Sequence, residues 1–228
     1  MYLYETHFHT SPVSKCAKAD VYQSLDFYKK SGFDGVFLTN HFMTLDNKTY
    51  TKEEYEENLY FYFSDYDKAV KYGKAIGVKV FLGVEISHGG TDFLIYGLEK
   101  EWYFKHPEII EMRMSKRLDF LAENGAFISQ AHPYRDSSYI DHIRLYPNNI
   151  HAVEIINGCR TDFENKMAEN MAEAYSLYKT AGSDNHRAEN IQSKRIVAMT
   201  SKHPLDCESD FIYAVKNSLL EIKIINIE

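Results

Sequence analysis

The chain has 228 residues, enough for one large domain with a substantial core, and no Pro-, Gly- or Ser-rich linker divides it, so a single domain over 1–228 is expected. Its 33 acidic and 26 basic side chains leave a formal net charge of −7, which makes a nucleic-acid surface unlikely to be its business while still allowing a few cations to govern one pocket. The 3 cysteines, Cys16, Cys159 and Cys207, are too few and too scattered for a disulfide framework; no apolar run approaches the roughly 20 residues of a membrane span and the N-terminus lacks a signal-peptide pattern, so a cytoplasmic protein is expected.

Tyr2-Leu3-Tyr4 reads as a short first strand that runs into His7-Phe8-His9. Residues i and i+2 of a strand share a face, so the two imidazoles project side by side, within reach of one metal ion. His-x-His alone leaves open both a metal pair and two loop histidines, one solvated and one hydrogen-bonded to backbone. Val21, Leu25 and Tyr28 recur at helical spacing up to Gly32, and Gly35 to His41 is a buried strand. A long helix spans Lys52 to Ala75 and stops near Gly77, followed by strands over Val78 to Ile86 and Asp92 to Leu98. Pro107 opens a helix carrying Ile110, Met114, Leu118 and Leu121, closed by Asn124-Gly125. Then come the strands AFISQAHP and AVEIING, a helix from Glu164 to Tyr178, the short KTAGSD, the strand RIVAM, a helix over Asp210 to Asn217 and the terminal LLEIKIINI. Continuous apolar strands alternating with helices predict parallel pairing with both faces covered, an α/β fold closing into a barrel.

Metal-capable residues stand at the C-terminal ends of successive predicted strands: His7 and His9, His41, Glu85, His132, then Asp184 and His186. In a parallel barrel those ends open on one rim, where such folds carry their chemistry. Imidazole and carboxylate donors, with a thiolate as an option, suit zinc, iron or manganese better than calcium. Strand-end hydrogen-bonded caps are the alternative for His41 and His132, and an N-cap turn for Asp184. His88, His106, His142, His151 and His203 lack this placement and read as structural or surface residues.

The pieces ETHFHTS, LTNH, GVE, QAHP and GSDNH, in this order and over nearly the whole chain, resemble the PHP (polymerase and histidinol phosphatase) domain family, and HTSPVSKC, QAHPYR and EIINGCR resemble its small stand-alone bacterial metal-dependent phosphoesterases. The resemblance implies a distorted (β/α)7 barrel with two or three divalent metal ions (zinc, manganese or iron) at the strand ends. One ion would be held by His7, His9, Glu85 and Asp184, a second by His41 and His186 with Cys16, and a third by Glu85 with His132. An ordinary buried thiol is the alternative for Cys16. Glu85, Asp184 and His186 would be the catalytic set. The chain departs from the family in having Glu5 and Asn40 where aspartates are usual, and in lacking a histidine near Leu94, which leaves the third site short of a ligand unless His88 compensates.

The implied activity is hydrolysis of a small phosphomonoester, as in a histidinol-phosphatase-like phosphatase, by a metal-activated water. Arg135, three residues past His132, is the first choice for a phosphate clamp because a guanidinium grips two phosphate oxygens, and Arg160 is the second; surface salt bridges are the alternative for both. Phe8, Phe42 and Tyr134 flank the ligands and either line a pocket or pack in the core. The loops Met43 to Thr51 and Asp136 to Asn149 are expected to set specificity. The competing functions are a nuclease or phosphodiesterase of the same fold, a protein-tyrosine phosphatase, and a non-catalytic metal-binding regulatory domain.

Overall fold

The computed structural model describes residues 1–43 and 49–227. Its strands are β1 (Tyr2–Phe8), β2 (Gly35–Leu38), β3 (Lys79–His88), β4 (Thr91–Tyr96), β5 (Phe127–Ala131), β6 (Ala152–Asn157), β7 (Tyr178–Gly182), β8 (Arg195–Ser201) and β9 (Glu221–Asn226). The helices are α1 (Val21–Lys30), α2 (Lys52–Ile76), α3 (Lys100–Lys105), α4 (Met114–Glu123), α5 (Asp162–Ala174) and α6 (Glu208–Lys216). Among the described residues the strands form one mixed sheet in the order β7-β6-β5-β4-β3-β2-β1-β8-β9. It curls until the segment after β7 meets the end of β1: Phe8 bridges Asn185 in parallel, and Asp184 N–H donates to His7 O at 2.7 Å. The result is a nearly closed barrel-like sheet.

Side-chain alternation sorts the core into an inside and an outside. Tyr4, Phe37, Phe81, Leu94, Phe127 and Val197 meet in one interior cluster to which α6 adds Phe211. The opposite faces of β3 to β6 pack against α2 to α5, and those of β1, β2 and β8 against α1. The predicted Phe8 and Phe42 both lie in these outer layers rather than in a pocket.

Parallel pairing throughout is corrected by the structure. β3 with β4, β4 with β5, β1 with β8 and β8 with β9 are antiparallel. At β3–β4 the cause is local: the strands are joined by Gly89-Gly90, both with positive φ (56° and 84°), and a two-residue turn of that kind returns the chain beside itself. The reversal brings the start of β4, not its end, to the rim where the predicted site residues stand.

Three element boundaries also differ. The helix expected from Pro107 up to Asn124-Gly125 is a 3-10 turn (Pro107–Ile110) and α4, separated by Arg113 in an extended conformation. The buried Arg117 guanidinium stabilises the break by donating to the carbonyls of Ile109, Ile110 and Met112. α5 stops at Ala174, four residues before the predicted Tyr178, which begins β7 instead. β2 ends at Leu38, and His41 reaches Glu85 through an isolated parallel bridge. Part of the predicted loop Met43 to Thr51 lies outside the described residues.

Candidate metal centre

The histidine pair owes its direction to an irregularity in β1. Glu5 pairs with Val36 and Phe8 with Leu38, three residues against two, so one extra residue is accommodated between them. That extra residue reverses the alternation. Tyr4 faces the barrel interior before it, and His7 does so after it, while Phe8 turns outward onto Tyr28 with ring centroids 5.1 Å apart. Gly182 completes the arrangement, since a Cβ there would stand 2.4 Å from His7 Cβ. His132 and Asp184 have φ of 27° and 55°, unusual for side-chain-bearing residues. Hydrogen bonds hold both conformations: His132 N–H donates to Glu154 Oε2 at 3.1 Å, and Asp184 N–H to His7 O.

These local devices converge the predicted residues. His7 Nε2 lies 3.1 Å from His9 Nε2, 3.3 Å from Glu85 Oε1 and 3.6 Å from Asp184 Oδ1. His9 Nε2 lies 3.4 Å from both Glu85 Oε2 and Asp184 Oδ1. Donors about 2.0–2.2 Å from a shared tetrahedral ion stand roughly 3.3–3.6 Å from one another, and His7, His9 and Asp184 form one group with comparable spacing, with a Glu85 oxygen close to each of the two histidines. Glu85 is central: Oε1 faces His7 and His132 (3.3 and 3.8 Å), and Oε2 faces His9 and His41 (3.4 and 2.5 Å). His9, His41 and His186 form a second group whose donor atoms lie within 4.8 Å of one another, and His7, Glu85 and His132 a third.

The fit to a metal is tested by the atoms left over. Both Glu85 oxygens and His41 Nδ1 are buried without a partner in hydrogen-bond geometry, despite the close approach of Glu85 to His41. A buried carboxylate without hydrogen bonds is costly, and a divalent cation between these atoms removes that cost. The donor set and its unsatisfied atoms fit divalent metal binding.

Outer groups fix the imidazoles. His7 Nδ1 lies 2.8 Å from Glu154 Oε1, which sets the tautomer that leaves Nε2 free for the centre. Glu154 is anchored in turn by Asn157 Nδ2 at 2.9 Å. His9 Nδ1 lies 3.3 Å from Ser14 Oγ, which donates to Asn40 Oδ1 at 2.8 Å and accepts from His41 N–H at 3.0 Å. Glu5 accepts from the N–H groups of His7 and Ser183, both at 2.9 Å, and from the hydroxyls of Tyr28 and Ser183. It therefore joins β1 to β7 through backbone and hydroxyl donors. Glu154 was missed in the sequence; the signal was a lone carboxylate inside the apolar strand AVEIING. Glu154→Gln is expected to weaken metal affinity about 10–100-fold, measured by competition with a chelating dye.

The cluster polarises its own titration. Burial favours neutral His7, but Glu154, Asp184 and Glu85 raise its pKa well above the usual imidazole value. Burial is likewise outweighed at His41 by Glu85, and at His186 by Cys16 and Asp184. His9 is held well below the usual value by burial, with His186 and His41 adding to it. Burial opposes the ionised forms of Glu85 and Asp184, yet the surrounding histidines hold both well below the carboxylate range. Burial would raise the Cys16 thiol, but hydrogen bonds with His186 and His41 bring it down to about 6. Cys16 is exposed, not buried, and stands beside the second group.

No family model matches the sequence, and no curated protein matches it. Solved structures do match. A two-domain protein from Bacteroides vulgatus ATCC 8482 containing a predicted PHP-like metal-dependent phosphoesterase aligns with 97% of the chain at a TM-score of 0.69 and 16% identity. The chain spans 64% of that protein's length. PsfC from Pseudomonas syringae PB-5123 aligns with 99% of the chain, covering 91% of its own, at a TM-score of 0.59 and 15% identity. A predicted metal-dependent phosphoesterase from Bifidobacterium adolescentis ATCC 15703 aligns over 96% of each chain at a TM-score of 0.57 and 12% identity. The fold is that of the PHP-like phosphoesterases.

Against the PHP pattern, the missing histidine near Leu94 has a structural answer. Leu94 pairs with Glu85 across β3–β4 and is buried in the interior cluster. Two residues earlier on the same face, Asp92 stands at the start of β4, with Oδ2 3.7 Å from His132 Nε2. Burial, helped by Glu85, raises its pKa above the usual aspartate value. Asp92 is inconspicuous in the sequence because it begins its strand rather than ending it. His88 belongs to none of the three donor groups.

A hollow of about 260 Å³ opens over the cluster, lined by Cys16, His41, His132, Asp184 and His186 and by three arginines, Arg135, Arg160 and Arg187. Arg135 Nη1 lies 3.4 Å from Asp92 Oδ2, and its guanidinium carbon lies 5.3 Å from the Tyr139 ring centroid. The Nε atoms of Arg135 and Arg160 are buried without a hydrogen-bond partner. The hollow thus brings carboxylate and imidazole groups and three guanidinium groups to one lining. Arg187 was not singled out in the sequence, although it directly follows His186.

Proposed function

We propose that the chain is a single-domain PHP-family phosphomonoesterase that hydrolyses a small phosphorylated substrate with two or three divalent ions, zinc, manganese or iron. The observation that carries this reading is the shared hollow, lined by Arg135, Arg160 and Arg187 together with His41, His132, Asp184 and His186 of the cluster, beneath which His7, His9 and Glu85 are buried. A phosphate dianion needs such cations on the side away from the ions, and a guanidinium can grip two of its oxygens.

In this reading His7, His9, Glu85 and Asp184 hold one ion, and His41 and His186 hold a second beside Cys16. Glu85 and His132 reach towards a third, with Asp92 supplying the carboxylate next to His132. Bound there, the ions supply a hydroxide near neutral pH and neutralise charge on the phosphoryl and leaving oxygens. The chain contributes orientation. Arg135 and Arg160 fix the phosphate, and the Glu154–His7 contact prevents the imidazole from rotating away. Glu85 and Asp184 hold the centre of the catalytic set, with His186 on the wall of the hollow.

The test is phosphate release from sugar phosphates, nucleotides, histidinol phosphate, phosphotyrosine and a diester, with manganese- and zinc-loaded protein. A monoester is expected to be cleaved faster than the diester. Arg160→Met is expected to raise KM about 10–100-fold, the loss of one or two hydrogen bonds to a charged group, with metal content unchanged. Faster cleavage of the diester would replace this reading with a nuclease. No release from any ester by protein carrying its metal would leave a non-catalytic metal-binding domain.

A further inference from the structure

The hollow over the cluster does not end at the arginines. Arg135, Cys159 and Arg160 also line a second hollow of about 890 Å³, so the two meet along these side chains. The far walls of the larger one include Tyr134, Ile140, Ile143, Phe163 and Met167, contributed by the loop after β5 and by α5. At its margin Phe163 is 74% and Ile143 50% exposed. Large apolar side chains so placed gain from any apolar group that covers them.

The wall is built rather than slack. Asp136 N–H donates to Glu164 Oε1 at 2.8 Å, which ties the loop to α5. Further along, Arg144 donates to Gly89 O at 2.6 Å, and Gln130 bonds both Arg144 O and Tyr146 N–H. Ile140 packs where a Cβ on Gly90 would stand, 2.7 Å from its Cγ1. Four polar residues of the wall, Asp141, His142, Thr161 and Glu164, are engaged in local contacts. Asp141 pairs with Arg144 at 3.0 Å and His142 at 2.9 Å, and Glu164 Oε2 accepts from the Thr161 N–H and hydroxyl, both at 2.7 Å. Those engaged groups have fewer hydrogen bonds left to offer a sugar, while Tyr134, Ile140, Ile143, Phe163 and Met167 offer apolar contact area. An apolar group is well served.

We propose that the larger hollow receives the leaving alcohol of the substrate, and that this alcohol is apolar, an alkyl or aryl group rather than a sugar. The proposal rests on the phosphomonoesterase reading for the position of the phosphate, at the arginines where the hollows meet. It names a substrate class that the donor cluster alone does not specify.

The test uses alkylphosphonates, which keep the head group and cannot be hydrolysed. Binding of ethyl-, butyl- and hexylphosphonate to the metal-loaded protein is measured by calorimetry. Kd is expected to fall by up to about fourfold per added methylene, the factor that full burial of one CH₂ supplies. The double variant Ile143→Ser, Phe163→Ser changes two exposed side chains outside the donor cluster. It is expected to bind ethylphosphonate as wild type does and to lose the gain with chain length. A flat series in the wild-type protein, or a gain that survives in the variant, overturns the proposal. Turnover of the matching alkyl phosphates separates the two readings. Chain-length-dependent binding without turnover would refute hydrolysis and leave the pocket standing, whereas turnover indifferent to chain length would refute the pocket alone.

Discussion

Glu85→Gln is expected to lower phosphate release by roughly 10²–10³-fold, the loss typical when one group that stabilises transition-state charge is removed. The effect is large because, among the described residues, Glu85 alone reaches both histidine pairs. Its two oxygens face different histidine pairs, His7 with His132 and His9 with His41. An amide keeps the volume but replaces one acceptor oxygen with a donor nitrogen and removes the negative charge that chiefly raises His41 and that adds, after Glu154 and Asp184, to raising His7. Metal content, measured on the same samples by elemental analysis, is expected to fall with activity. The metal-free variant is expected to keep a cooperative melt, since Glu85 bonds neighbouring strands through its backbone, whose N–H donates to Asn40 O at 3.1 Å. Unchanged turnover with a full metal complement would remove Glu85 from the centre of the site.

Much of this arrangement was legible because it depends on where strands end. The alternating apolar runs give the strand positions, and a polar residue at the end of each is conspicuous. His7, His9, His41, His132, Asp184 and His186 stood out for that reason, and the structure brings them within a few ångströms of one another. Asp92 and Glu154 escaped the same logic for two different physical reasons. Asp92 begins an antiparallel strand, so it reaches the rim from the opposite direction, and only the Gly89-Gly90 turn signals that reversal. Glu154 lies inside a strand and acts on His7 rather than on the centre itself. The bulge in β1 was not legible either, since an extra residue in a strand leaves no pattern in its sequence. The helix break at Arg113 is stabilised by a side chain four residues further on, Arg117, whose hydrogen bonds to carbonyls of the preceding turn cannot be read from hydrophobic spacing.

Metal is expected to stabilise the protein more at pH 8 than at pH 6, and the sign follows from the cluster's own groups. His7, His41 and His186 have folded-state pKa values above the usual imidazole value. Their contribution to stability is fully present below about pH 6.5 and is lost as pH rises through the raised values. Glu5, which burial pushes up to about 7, loses its contribution earlier, as pH rises from the usual glutamate value to about 7, and so draws the optimum towards the acid end of the range. Glu85 and Asp184 act in the other direction. Their contribution is present above the usual carboxylate range near pH 4 and is lost as pH falls through the lowered values. The metal-free protein is therefore expected to be most stable between about pH 4.5 and 6.5, the interval in which both sets of charges are present. Metal changes the upper limit, because histidine binds it only as the neutral donor, so the protons held by His7, His41 and His186 leave on binding. Each proton released makes the apparent affinity rise up to about tenfold per pH unit. Melting temperatures with and without zinc from pH 6 to 8, and calorimetry in buffers of different ionisation enthalpy, measure the two consequences. A melting shift that does not grow with pH, together with binding that releases no protons, would show that the ion does not displace the protons of this histidine cluster and would place it elsewhere in the molecule.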